Sequence, residues 1–205
     1  NEAKARLAKL REEIARLERR EAELARYLKN YDEDRATASP LLDALRAEGL
    51  KAEIFGRTID VKPEAESWWP LLESLLSTER HAILPENFQA AWEIARRTLS
   101  DEPLVNPDEL KKRGAKAKPG SVRDFFETKH KTAAAYLDFL VGDLMPVEHP
   151  TFMDEHERAL SRGGWLKDPP RRVFLQPARE LTLGVEGLRR LRKMREEERH
   201  VVREE

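Results

Sequence analysis

The sequence predicts an α/β (α+β) domain of two similar halves, carried between two charge-rich helical arms. Three observations lead there. Apolar residues recur at alternating three- and four-residue steps near the ends of the chain. Between residues 39 and 180 the texture changes to short apolar runs punctuated by Pro and Gly, and within that stretch a strand–helix–strand pattern occurs twice. The expected division is an arm over residues 1–38, the domain over 39–180 and a second arm over 181–205.

In the first arm the apolar positions are Leu7, Leu10, Ile14, Leu17, Leu24, Leu28 and Tyr31, with Glu21 interrupting the series. This is the heptad period that keeps one stripe against a partner helix. The remaining faces carry Arg, Lys and Glu in i, i+4 relations such as Glu12 with Arg16. Such a helix cannot be buried in a globular core and needs one matching strand. Val185, Leu188, Leu191 and Val202 supply a second stripe, with Arg195 and Glu198 at seam-like positions. The two arms are expected to pair antiparallel, the simpler arrangement being two surface helices of one bundle. Asn1 and Glu205 both fall in charged helix, as expected of a piece of a longer protein.

In the central stretch, Leu41 to Glu48 reads as a helix ended by Gly49, and Thr58 to Val61 as a short strand. Trp68 to Leu76 follows as a helix with Leu71, Leu72, Leu75 and Leu76 on one face, then His81 to Leu84 as a strand. Phe88 to Leu99 is a helix with Phe88, Ala91, Trp92 and Ala95 inward, and Asp101 to Gly120 reads as a surface loop rich in Pro and Lys. The pattern then recurs: an extended start at Ser121-Val122, a helix over Ala133 to Val141, and a strand over Leu144 to Val147. Ala159 to Leu166 and Arg172 to Gln176 are expected to close the domain as strands.

Composition narrows the function. Charged residues make up 38%, the hydrophobic class 40% and aromatics 7%, which fits a domain attached to long exposed helices. A net charge of −1 excludes a uniformly basic nucleic-acid binder, so any DNA contact needs a local patch. The absence of Cys excludes disulfides, thiolate zinc sites and a Cys nucleophile, and suits the cytoplasm. No apolar run approaches the roughly 18 residues of a membrane span.

Leu160-Ser161-Arg162-Gly163-Gly164 evokes the signature of ABC-type ATPases, but Arg162 spoils its spacing and no G-x-x-x-x-G-K-[ST] phosphate loop is present. No cofactor is expected in this chain, nor a metal: His149 and His156, near Glu148, Asp154 and Glu155, fit no zinc spacing. Lys111, Lys112, Arg113, Lys116 and Lys118 form a basic loop able to neutralise phosphates without reading bases, with Arg171 and Arg172 as a possible extension of the patch. A solvated excursion is the competing reading. Trp165 beside Gly163 and Gly164 is the preferred subunit-interface anchor, set against plain core.

The residues carry a resemblance. Ile59-Asp60-Val61, Trp68-Trp69, Glu79-Arg80 with Leu84, and Phe88, Ala91, Ile94-Ala95-Arg96 are similar to motifs of SMC-type proteins of the branch that includes MukB, MksB and the JetC subunit of Wadjet. So are Tyr136-Leu137 through Gly142 and Arg158-Ala159-Leu160-Ser161-Arg162-Gly163-Gly164, the likeness spanning 59–176. The resemblance implies the hinge of a long DNA-translocating ATPase of the Wadjet anti-plasmid kind, itself without catalysis. It further implies a homodimer through the hinge, weak DNA contact, and other subunits bound through regions absent here. The interface would involve Gly142, Gly163, Gly164 and Trp165, with a glycine motif reduced from the usual SMC form. The alternatives are a nucleic-acid-binding module on a coiled-coil support, and a hydrolase built on the cluster around His149.

Overall fold

The structure, a computed structural model, describes residues 11–12, 14–19, 22, 39–179, 181–184, 189, 193, 196, 197 and 200. The described arm residues are helical, with Ile14 55% exposed. The remainder of both heptad stripes, and hence the expected pairing of the arms, lies outside the described residues.

The domain begins with α1 (Pro40–Ala47), where the Ser39 hydroxyl accepts from Leu42 N at 3.0 Å and Pro40 occupies the first turn. Strand β1 (Ala52–Ile54) leads through a 3-10 turn to β2 (Asp60–Val61), and a longer 3-10 segment (Pro63–Trp68) runs into α2 (Trp69–Leu75). Strand β3 (Ile83–Pro85) and α3 (Phe88–Thr98) complete a first half. The second half contains α4 (Pro107–Arg113), β4 (Phe126–Glu127), α5 (Lys131–Val141), β5 (Met145–Val147), β6 (Ala159–Ser161), β7 (Trp165–Asp168) and β8 (Arg171–Phe174).

The expected α/β class is the one observed. β2–α2–β3 in the first half has its counterpart in β4–α5–β5, and the leading strands of the two units pair with each other antiparallel, Asp60 opposite Glu127 and Val61 opposite Phe126. β1 pairs antiparallel with β3, and β5-β6-β7-β8 form a four-stranded sheet in which only β5–β6 is parallel.

Several boundaries differ from the sequence reading. Ser121-Val122 leads into a 3-10 turn, and the second unit's first strand is β4. Residues 159–166 are two strands joined by a tight turn, closed by Gly164 N donating to Ser161 O at 2.9 Å. The expected 101–120 loop contains α4, capped by Asn106, whose side chain accepts from Asp108 N and Glu109 N, and ended by Gly114 at φ +59. On α3, Ala91, Ile94 and Ala95 face the core, so that Trp92 points outward and is 45% exposed.

One core joins both halves: Phe55, Ile59, Leu72 and Leu76 from the first meet Phe126, Leu137, Leu144 and Leu160 from the second. A smaller core packs α1 and α3 over β1 and β3 through Leu41, Leu42, Leu45, Ile54, Ile83 and Ile94. Within the main core lies a fully buried charge, Glu73. Its carboxylate accepts from Trp69 Nε1 (3.2 Å), Arg80 Nη1 (3.0 Å), Thr182 Oγ1 (3.0 Å) and the backbone amides of Thr182 (2.5 Å) and Leu183 (2.6 Å). A carboxylate out of water is tolerated only with such full hydrogen bonding and an ion partner.

The opposite side of Arg80 donates from Nε to His81 Nε2 at 3.1 Å. Burial, then the neighbouring Arg80 charge, lowers the His81 pKa from its ordinary value. The folded chain therefore takes up this proton less readily than the unfolded one. The resulting stabilisation is present above about pH 6.5, the ordinary histidine range, and is lost as pH falls through the lowered folded value. Thermal melts between about pH 7.5 and about pH 5.5 should show a smaller loss of stability in His81→Gln than in the parent chain. Equal losses would show that His81 does not contribute.

Candidate self-association edge and basic surface

The β7–β8 hairpin forms the outer border of the four-stranded sheet. Leu175 N donates to Gly164 O at 2.7 Å, which fixes the hydrogen-bonding phase of the register pairing Trp165 with Phe174 and Asp168 with Arg171. In an antiparallel ladder this phase turns the N–H and C=O of residues 171 and 173 toward β7 and those of Arg172 and Phe174 away from the sheet. Every residue of β8 is exposed. Trp165 and Phe174 meet edge to face with ring centroids 5.3 Å apart, yet remain 45% and 43% exposed. Among the described residues this edge is unpaired, and an unpaired strand edge bearing two large half-covered aromatics can accept another strand.

Gly164 is what lets the hairpin start there. It sits at φ +95, and a Cβ would come 2.7 Å from Leu175 O and 3.2 Å from the Phe174 ring. Gly163 lies in the same turn, so the structure brings Gly163, Gly164 and Trp165 together as expected. Gly142 is apart from them. It is buried at the end of α5, three residues ahead of the β5–β6 ladder, whereas Gly163 follows that ladder's far end. There it accepts from Lys118 N at 2.7 Å, and a Cβ would stand 3.1 Å from Ala117 Cα, so its smallness admits the 114–120 segment.

The basic residues expected on a loop divide by local structure. Lys111 pairs with Asp108 at 3.4 Å and Lys112 with Glu109 at 2.9 Å across one turn of α4, and that hydrogen bond from Lys112 raises its pKa. Arg113 lies over the half-exposed Phe139 ring, 5.1 Å from its centroid. Lys116 and Lys118 are exposed and make no ion pair among the described residues. Arg171 pairs with Asp168 at 3.4 Å, and Arg172 with Asp154, whose carboxyl is held below its ordinary pKa by the Arg172 hydrogen bond and charge and then by Lys167.

Arg158 links the two basic groups. It bonds Asp143, Asp168 at 2.8 Å, and the Leu140 carbonyl at 3.2 Å, joining the end of α5 to β7. Of the seven expected cations, four are locally paired: Lys111, Lys112, Arg171 and Arg172. The least compensated positive charge centres on Lys116 and Lys118. The His149 side chain caps a turn through Thr151, and the backbone carbonyl of His156 accepts from Lys167 Nζ at 2.7 Å.

No protein-family model and no curated protein matches the sequence. Solved structures do. The chain resembles the SMC hinge domain of Geobacillus stearothermophilus, solved as an asymmetric dimer, with TM-score 0.54 and 15% identity over 98% of this chain and 88% of that one. It resembles the Pyrococcus furiosus Smc hinge with an extended coiled coil at TM-score 0.53 and 17% identity, over 98% of this chain and 82% of that one. A further P. furiosus hinge structure matches at TM-score 0.53 and 17% identity over 80% of this chain and 92% of that one. This chain has the fold of SMC hinge domains, in a sequence far removed from those representatives.

Proposed function

We propose that the chain is the self-association hinge of an SMC-like protein. The observation that carries this reading is the open β8 edge with Trp165 and Phe174 half uncovered beside it. A second copy could continue the sheet through the outward N–H and C=O groups of Arg172 and Phe174, while Trp165 and Phe174 bury against the partner. The likeness to a hinge solved as a dimer supports it. The reading includes no catalysis by this chain. The motifs quoted above support placement in the MukB, MksB and JetC branch, and with it a role in a DNA-translocating, Wadjet-like complex inside the cytoplasm. The full-length gene tests that placement: ATPase motifs at both ends beyond long heptads are expected, and their absence would refute it.

Sedimentation of the chain should give the mass of a dimer. Truncating a central aromatic of such an interface costs about 2 kcal/mol or more, roughly a 30-fold weaker association. Trp165→Ala combined with Phe174→Ala should therefore yield monomer at low micromolar concentration with an unchanged far-UV spectrum. A parent monomer at high micromolar concentration would contradict the reading.

DNA contact forms the second part of the proposal, and the sparsely compensated Lys116 and Lys118 next to Arg113 support it. Binding through so few cations should be weak, independent of sequence and steeply salt-dependent. Lys116→Glu with Lys118→Glu should abolish retardation of duplex DNA and leave the dimer mass intact. Equal retardation by the reversed-charge variant would assign these lysines to solvent only.

A further inference from the structure

Helix α3 ends on Leu99 at φ +53, and among the described residues no other non-glycine has positive φ. The left-handed step also follows α1 and α4, where it is taken by Gly49 at φ +73 and Gly114 at φ +59. Glycine enters that region without the Cβ clash that a leucine meets. The Leu99 side chain does not offset this strain by packing, since it is 89% exposed. The fold alone favours glycine here.

Leu99 continues a pattern. Phe88, Trp92, Arg96 and Leu99 stand at i, i+4, i+8 and i+11, one stripe roughly 16 Å long at 1.5 Å per residue. Ala91, Ile94 and Ala95 turn the other side of the helix to the core, which leaves Trp92 and Leu99 uncovered. Between those two lies Arg96, exposed and without an ion pair among the described residues, whereas its neighbour Arg97 pairs with Glu48. Glu93, the sole acid of α3, accepts from Gln89 Nε2 at 3.4 Å. An unpaired guanidinium flanked by apolar side chains fits a carboxylate that is flanked in the same way.

We propose that the stripe from Phe88 to Leu99 docks an amphipathic helix of another protein, with Arg96 taking one acidic residue set among that helix's apolar ones. Trp92 and Leu99 bury against the partner on either side of the ion pair. Lying antiparallel, the direction that opposing helix dipoles favour, the partner presents apolar side chains at i, i+7 and i+11 and the acid at i+3. The strained leucine is kept at position 99 because its side chain is what the partner covers. The face belongs to the first half and β8 to the second, so docking and self-association fail separately.

The probe is a labelled synthetic helix with Leu at i, i+7 and i+11 and Glu at i+3, titrated by fluorescence anisotropy against the whole chain. A second probe carries Lys in place of that Glu. The parent chain should prefer the Glu probe, Trp92→Ala should bind it roughly 30-fold more weakly, and Arg96→Glu should reverse the preference between the two probes. Leu99→Gly should also weaken binding, yet raise the melting temperature by about 2–4 °C through relief of the backbone. No binding at high micromolar concentration, or equal binding of both probes by the parent, would overturn the proposal. So would a lower melting temperature in Leu99→Gly, which would assign the leucine to the fold. A loss of dimer mass in Trp92→Ala would overturn it too, since a second copy of this chain would then be the occupant.

Discussion

A buried carboxylate with five donors is the constraint around which the rest of this domain is arranged. Leaving Glu73 charged and unpaired in the core would cost several kcal/mol, and removing one partner of a buried pair typically costs about 3–5 kcal/mol. Its donors come from α2, from the turn after α2, and from a segment more than a hundred residues further along the chain. Satisfying that single group therefore fixes where the chain must return. The entry is fixed in a related way, Leu41 N donating to the carboxylate of Glu102 at 2.8 Å. Both ends of the domain are thus anchored by acidic side chains of the first half.

This divides the labour between the halves. The first half, residues 52–105, takes the attachments of both chain ends. The second contributes the β7–β8 border, the aromatics upon it and the basic surface near the end of α5. The β2–β4 pairing and the shared core are what make the two one body.

The strand–helix–strand duplication was legible because its helices are long enough for apolar periodicity and β2, β3 and β5 lie beside or contain Pro or Gly, whereas β4 has neither nearby and the sequence reading puts that strand at Ser121-Val122. Other features followed from signals too short or too local to weigh alone. Asn106-Pro107 and Gly114 are sufficient to start and stop α4, yet five charged residues between 108 and 113 with a single Leu concealed it. Trp92 was placed inward by its size, whereas the small Ala91 and Ala95 are what allow α3 to approach α1. Glu73 was invisible as a core residue because its partners are distant in sequence. The one available sign was a charge in the run Leu71-Leu72-Glu73-Ser74-Leu75, four residues after Trp69 and three before Leu76. Gly163, Gly164 and Trp165 share one turn, whereas Gly142 lies at the end of α5, where it admits the 114–120 segment.

The central claim is that two copies meet along β8. Because the chain contains no cysteine, a residue introduced at Phe174 would be its only thiol. Under mild oxidation, at a concentration high enough to offset the lost ring, Phe174→Cys should form a covalent dimer, since a two-fold axis crossing β8 at residue 174 brings the two copies of that position within disulfide reach. A control cysteine at the exposed Glu93 on α3 should not cross-link under the same conditions. Efficient cross-linking at Glu93 with none at Phe174 would contradict the account.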